Sequence, residues 1–333
     1  MDADSATDTV CLSRRTTLVT TASITVAGLA GCLGGADDDD DTPDVSDEFV
    51  FAIEAQDDPA DVERNWAPLA EWIESETGVP TSIDTVPDAS AAIGALATGQ
   101  AHASYLSGGP SWVGWNAYGF ETLAVEANED GQTYYVAAAY TRSDTGIETM
   151  RDAHGVDSAH TGDLTGAGML VPMASLAEEG LVEFDEDDDV TAIREAVEEY
   201  FGDPVVGGGY VGALQALSEG QADIAFGRAT TPAEYCGGDD PAEWCLDIDE
   251  YDIVEEFTNV PSHPVLASLE ASDAEKELLA DALLALNDDP GGQEILEDLF
   301  DVYELQNTTS EEHLGPYGEL ISNLPGIEDH LVE

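Results

Sequence analysis

Residues 48–55, EFVFAIEA, form a short apolar run with polar ends and read as a first strand. Directly after it, DVERNWAPLAEWIESETG places Val62, Trp66, Leu69 and Ile73 at helical spacing, with Gly78 as the stop signal. TSIDTVP predicts a second strand, SAAIGALATG a second helix, and AHASYL a third strand running into the loop SGGPS. Alternation of this kind predicts a parallel α/β sheet. Further on, TYYVAAAYTRSDTGI predicts a strand over 134–140 leading into a turn, and SDAEKELLADALLAL a late helix capped by Ser272.

One pattern recurs. GALATGQAHASYLS (94–107) can be laid on QALSEGQADIAFGR (215–228), sharing Ala-Leu, two residues, Gly-Gln-Ala, then a strand ending in an aromatic. Two similar strand–helix–strand units, one in each half of the chain, predict two lobes of like architecture. In open α/β sheets ligands sit beyond the carboxyl ends of the strands. Those ends are Tyr105-Leu106-Ser107-Gly108 and Phe226-Gly227-Arg228, so both are expected to line one cleft between the lobes. The first lobe is expected to take 48–140 and 260–333, and the second 141–259. The strand at 134–140 would carry the chain across, VEEFTNVPSHPV would carry it back, and the late helices would pack on the first lobe.

Composition changes the picture of the surface. Across 333 residues, 72 acidic residues face 8 basic ones, giving a formal charge of −64, and Lys276 is the only lysine. Such a charge repels itself strongly at low ionic strength. At about 1 M salt the Debye length falls to about 3 Å and the repulsion is screened. The acids are spread along the chain, and the long apolar periodic segments argue against disorder. The pattern therefore points to a solvated acidic surface suited to very high salt. It excludes nucleic-acid binding through the general surface, because little basic is left to meet phosphates.

The N-terminus reads as an address. In SRRTTLVTTASITVAGLAGC (13–32), Arg14 and Arg15 precede a mildly apolar stretch with too few apolar residues for a spanning helix, which needs about 20. A twin-arginine signal peptide over 1–32 fits better. Leu-Ala-Gly-Cys resembles a lipoprotein lipobox, in which Cys32 carries lipid and anchors the chain at the extracytoplasmic face of the membrane. Residues 33–47, LGGADDDDDTPDVSD, then form a flexible, self-repelling tether. With Cys11 in the removed segment, Cys236 and Cys245 in CGGDDPAEWC are left as a pair outside the cell, where a disulfide persists. A metal site there lacks a C-x-x-C spacing or a nearby histidine.

The candidate chemistry lies in HTGDLTGAGMLVP (160–172). Asp163 or Thr165 can N-cap a helix beginning near Gly166, whose glycines leave backbone N–H groups uncovered. A helix N-terminus of that kind suits an anion. It is neither a Walker loop nor a dinucleotide fingerprint. From local sequence alone, a helix cap without ligand is an equal reading.

The body from about 49 to 301 resembles the phosphate/phosphite/phosphonate substrate-binding proteins of ABC transporters, which have the type II periplasmic-binding-protein fold. NWAPLAEWIESETG, GQAHASYLSGGPS, TRSDTGIETMRDAHG, GDLTGAGMLVP and GALQALSEGQADIAF carry the likeness. It implies an α/β fold of two similar lobes with a ligand cleft between them. In the family, Ser-Thr-Ser hydroxyls and amides hold the phosphonate head, and their positions fall here on Thr165, Gly166 and Ala167, so two hydroxyls are absent. A family histidine falls on Tyr210, and an acid that reads a ligand amine falls on His263. An acidic position at the end of the second-lobe strand falls near Arg228. These departures favour a small or more fully anionic ligand over one with an ammonium group.

Tyr105 and Tyr135 are the aromatic candidates for lining the cleft, with Tyr134 as a register alternative to Tyr135. Ser107 and Gly108 would donate a hydroxyl and an amide, while Trp112 and Trp115 read as helix packing. The resemblance implies an ABC permease and ATPase as partners, with no cofactor, no metal and no catalysis, and the chain is expected to be monomeric. Another oxyanion, such as a sulfonate, and a ligand sensor without transport are the alternatives. An enzyme lacks support: GGPSWVG is not G-x-S-x-G, H-E-x-x-H is absent, and the six histidines show no ligand spacing.

Overall fold

Side chains alternate along the first strand: Phe49, Phe51 and Ile53 enter one buried cluster and Ala52 another, so both faces are covered. The computed structural model of the chain describes residues 45–55, 59–162, 165–185, 188–238, 241–300 and 302–327. The segment read as a signal peptide, Cys32 and nearly all of the expected tether lie outside the described residues. At the tether's end, the Ser46 N–H donates to Glu275 at 2.7 Å.

In chain order the strands are β1 (Phe49–Glu54), β2 (Thr81–Val86), β3 (Ala103–Tyr105), β4 (Glu121–Ala127), β5 (Tyr134–Arg142) and β6 (Ser158–His160). They continue with β7 (Pro204–Val206), β8 (Ile224–Arg228), β9 (Tyr251–Pro261), β10 (Pro264–Ala267) and β11 (Glu304–Gln306). The helices are α1 (Pro59–Thr77), α2 (Ala89–Ala97), α3 (Gly108–Val113), α4 (Val171–Glu178) and α5 (Thr191–Tyr200). After them come α6 (Tyr210–Ser218), α7 (Thr231–Cys236), α8 (Asp273–Ala285), α9 (Pro290–Ile295) and α10 (Ser310–Ile321).

One sheet has the order β11-β4-β10-β3-β1-β2 and the other β7-β6-β8-β5-β9. Each is the base of an α/β lobe, as the repeated unit implied. The strand–helix units do pair in parallel, β1 with β2 and β3, and β6 with β7 and β8. Neither sheet is purely parallel, however: β10 runs against β3 and β4, and β5 runs against β8 and β9. Strands that arrive from the other lobe enter from the opposite end and reverse the direction.

Pairing also moves the crossing points. The strand predicted over 134–140 belongs to the second sheet, since β5 is bonded on one side to β8 and on the other to β9. The chain therefore crosses at 128–133 and returns at 262–263. A central strand must satisfy its backbone groups on both edges, and only the second sheet does so for β5.

The apolar stripe of α1 buries Val62, Trp66, Leu69 and Ile73 as its spacing predicted, against Phe49, Phe51 and the helices α8 and α9. At about 1.5–3 kcal/mol for each such side chain, this face alone anchors the helix. Ser272 caps α8 in a reciprocal box with Glu275. α8 and α9 pack on the first lobe, but α10 does not stay there. It packs on α3, on β9 and on α4, and Asn323 beyond its end donates to the Ala174 carbonyl at 2.8 Å. One buried cluster consequently runs from Trp112 and Phe120 through Leu314 and Tyr317 to Met173 and Phe226. Gly318 permits this crossing, because a Cβ there would stand 2.0 Å from Trp112 Nε1. Cys236 and Cys245 are bonded, with Cα atoms 5.5 Å apart, closing a short loop worth about 2–3 kcal/mol. Among the described residues, no helix is long and apolar enough to cross a membrane.

Candidate anion-binding site

The second lobe presents a helix N-terminus. The helix starts with a π-type turn, Gly166–Leu170, and continues as α4. Behind it, buried His160 at the end of β6 bonds the Gly168 carbonyl through Nδ1 at 2.9 Å and Ser158 Oγ through Nε2 at 3.0 Å. Its ring stacks on Phe226 at 4.9 Å, so the loop is pinned at both ends. Thr161 Oγ1 lies 2.6 Å from Thr165 Oγ1 and presses on Gly168, where a Cβ would come within 1.8 Å of it. Thr165 occupies the N-cap position, but its side chain does not cap. The hydroxyl donates instead to the Gly162 carbonyl at 3.0 Å. Asp163, the other capping candidate, lies outside the described residues. Gly166 and Ala167 stand in the first turn of this helix, where backbone N–H groups in general lack intrahelical acceptors and the helix dipole is positive.

Arg228, at the end of β8, lies between two rings: its guanidinium carbon is 5.1 Å from the centroid of Tyr135 and 5.2 Å from that of Tyr210. Gly227 makes room, since a Cβ there would meet Tyr140 Oη at 2.6 Å and Tyr210 Cδ1 at 3.0 Å. Gly208 (φ 72) and Gly209 (φ 142) take left-handed backbone conformations that turn the chain into α6 at Tyr210. Arg64, Arg142, Arg151 and Lys276 each pair with a carboxylate. Arg228 does not: among the described residues no carboxylate stands within 4.0 Å, and its buried Nε has no hydrogen-bond partner. Burial works against its charge, but Tyr210, Tyr135 and Glu126 outweigh it and hold the guanidinium pKa above its ordinary value. Burial, then Tyr210, pushes the Tyr135 phenol well up, so it stays a protonated donor.

The first lobe supplies a second polar group. Tyr105 Oη donates to Glu126 Oε1 and lies 3.0 Å from His263 Nδ1, while the His263 N–H donates to Glu126 Oε2 at 3.2 Å. Burial, opposed by Glu126 and reinforced by Arg228, lowers the His263 pKa and keeps the imidazole neutral. Tyr105, His263 and Ser107 line a cavity of about 410 Å³ together with Glu54, Asn65 and Trp66.

The candidate residues thus fall into two tied sets within one electrostatic neighbourhood, since Arg228 acts on Tyr105 and His263 and Glu126 acts on Arg228. Tyr135, Tyr210 and Arg228 come together; Tyr105 and His263 are tied to Glu126 near the return crossing. Ser107 is exposed at the start of α3 and makes no capping bond. Gly108 is buried against Pro261, 2.8 Å from where its Cβ would be, which makes it a packing glycine. Tyr134 points elsewhere, donating to the Glu312 and His313 carbonyls of α10. Trp112 and Trp115 face α10 at Gly318 and Gly315, in keeping with helix packing. Three residues escaped the sequence reading. Glu126 was legible, as an acid inside the apolar run LAVEA, and Thr161 lies in the quoted loop. Tyr317 had no local signal, because only the packing of α10 brings it to Gly166.

Two α/β lobes joined by paired crossings, with strand ends and a helix N-terminus turned inward, have the fold of type II periplasmic binding proteins. A family model described as "ABC transporter, phosphonate, periplasmic substrate-binding protein" matches residues 51–312, and the chain belongs to that family. These are transport binding proteins rather than enzymes. Solved structures share the fold at low identity. The binding-protein component of a phosphonate ABC transporter from Pseudomonas aeruginosa has a TM-score of 0.60 at 16% identity, covering 82% of this chain and 85% of that one. The PhnD1 protein of Prochlorococcus marinus, solved with methylphosphonate, has a TM-score of 0.61 at 10% identity, covering 83% and 99%. A Xanthomonas citri protein bound to ATP has a TM-score of 0.65 at 17% identity, covering 86% and 99%. Among curated proteins, chicken ovotransferrin is 28% identical over 212 residues, and Atlantic cod (Gadus morhua) serotransferrin 27% identical over 225. The matches cover 53% and 57% of this chain but only 30% and 34% of those proteins.

Proposed function

We propose that this protein captures a small phosphorus oxyanion, namely phosphate, phosphite or a phosphonate, between its lobes and delivers it to an ABC permease and its ATPase. The observation that carries this is Arg228, a half-buried guanidinium whose Nε is buried and unpartnered and which has no acidic partner among the described residues, in a chain of formal charge −64. With acids so abundant, a cation kept free of them is reserved for another anion. In the bound state Arg228 donates from Nε and its terminal nitrogens, and the amides of Gly166 and Ala167 donate from the helix N-terminus. Tyr135 and Tyr210 flank the site, and burial keeps the Tyr135 phenol protonated. Thr165 contributes backbone position more than hydroxyl, since its side chain is engaged in the loop.

The neutral His263 and Tyr105, backed by Glu126, form the first-lobe wall with Ser107. Contacts to both lobes at once favour the closed form, which the permease would recognise. The methylphosphonate bound by the Prochlorococcus relative supports phosphorus chemistry. The twin-arginine and lipobox segments support an extracytoplasmic, lipid-anchored protein held through Cys32 and residues 33–47. The acidic surface supports work in high salt.

A sulfonate offers the same oxygen geometry and is the competing ligand, while a sensor would bind alike without transport. Calorimetric titration of residues 33–333 in molar salt with phosphate, phosphite, methylphosphonate, aminoethylphosphonate and sulfate separates the ligands. Binding of one phosphorus oxyanion, with aminoethylphosphonate weaker, is expected. Binding of sulfate alone would replace the phosphorus assignment. A neighbouring permease and ATPase gene pair distinguishes transport from sensing.

A further inference from the structure

Tyr317, on α10, is fully buried, and its hydroxyl has no hydrogen-bond partner. Buried polar groups are almost always paired, and a phenylalanine would fill the same space with nothing left unsatisfied. The position of the hydroxyl suggests what it awaits. α10 brings Tyr317 Oη to the start of the helix at 166–178, 3.3 Å from where a Cβ on Gly166 would lie. That is the end whose amides lack intrahelical acceptors. The same hydroxyl belongs to the electrostatic neighbourhood of Tyr135 and Tyr210, the two rings that enclose Arg228.

We propose that Tyr317 is a ligand-binding residue whose hydroxyl donates to the anion seated on the N-terminus of helix 166–178. This rests on the oxyanion assignment above. It makes α10 part of the site: the helix that packs on α3 through Gly318 and Trp112 also places a donor beside Gly166. The bare Gly166 and the unpaired phenol are complementary, because a side chain at 166 would press on the space that Oη occupies.

The test is Tyr317→Phe in the chain from residue 33 onward, titrated in molar salt with phosphate, phosphite, methylphosphonate and sulfate. Loss of one hydrogen bond to a charged ligand is expected to weaken binding about 10- to 100-fold. The unliganded melting temperature should stay the same or rise, which separates a ligand contact from a structural one. Adding Gly166→Ser to Tyr317→Phe should recover part of the affinity, since the seryl hydroxyl would project toward the vacated position. Affinity within twofold of the parent for the ligand it binds would overturn the proposal while leaving the oxyanion assignment intact. If the parent binds sulfate alone, the phosphorus assignment falls and the sulfate comparison decides Tyr317. Silence of the folded parent toward every anion overturns both.

Discussion

Replacing Arg228 by methionine should move ligand binding and fold stability in very different proportions. The side chain makes cation–π contacts at 5.1 and 5.2 Å to Tyr135 and Tyr210, each worth about 0.5–1 kcal/mol. Losing both costs about 1–2 kcal/mol. Against this, the buried Nε–H without a partner already carries a penalty of about 1–3 kcal/mol, which the substitution removes. Methionine keeps most of the stem's packing, so the two effects nearly cancel. The unliganded protein should change by about 1 kcal/mol or less, roughly 1–2 °C in melting temperature for a chain of this size. The ligand loses charge-assisted hydrogen bonds worth about 1.5–3 kcal/mol, or about 10- to 150-fold in affinity. High salt does not erase this, because a buried pair is screened far less than an exposed one. Scanning calorimetry and isothermal titration in molar salt read the two quantities separately. A variant destabilised by more than about 3 kcal/mol that still bound its ligand normally would mean that Arg228 is a packing residue, and the site would have to be sought elsewhere.

Other perturbations test the scaffold. Gly168→Ala should cost about 1–3 kcal/mol, because its Cβ would stand 1.8 Å from Thr161 Oγ1 and force the anion loop to shift; unchanged urea unfolding would refute the packing. Stability should fall as pH drops below 6.5, the ordinary histidine value, because burial lowers the pKa of His263 and His313 and keeps both neutral when folded. The unfolded chain then binds more protons, so stability is fully present above that pH and is lost on acidification. His263→Gln should flatten the slope below pH 6.5, where the unfolded histidine takes up its proton and the folded one does not, and an unaltered slope in unfolding titrations would count against it. Replacing Cys236 and Cys245 by serine should cost about 2–3 kcal/mol in denaturant unfolding while leaving ligand affinity unchanged, since the sulfurs meet Tyr251 and the Tyr235 carbonyl rather than a residue of the candidate site.

The apolar spacing of Val62, Trp66, Leu69 and Ile73, the Ser272 cap, the Cys236–Cys245 loop and the repeated Gly-Gln-Ala units were all readable by themselves. Each depends on neighbours within a few turns or on a short loop, so local order in the chain is order in space. The repeat carried further, because two like units cannot bury their faces without forming two lobes. What lay beyond the sequence depended on pairings between distant segments. Tyr134 and Tyr135 are adjacent, yet one meets α10 and the other Arg228, because alternation in β5 sends successive side chains to opposite faces. The run 134–140 looks the same in either lobe until β8 and β9 claim its two edges. Tyr105 and His263, far apart in the chain, meet at one wall only because Glu126 takes the hydroxyl of one and the backbone N–H of the other. Tyr317 joins Gly166 only because Gly318 lets α10 settle on Trp112. The sequence by itself determined the elements and the two lobes; which polar groups are spent on each other, and which stay free for a ligand, was decided by long-range packing, since a hydrogen bond goes to whatever partner the fold brings within about 3 Å.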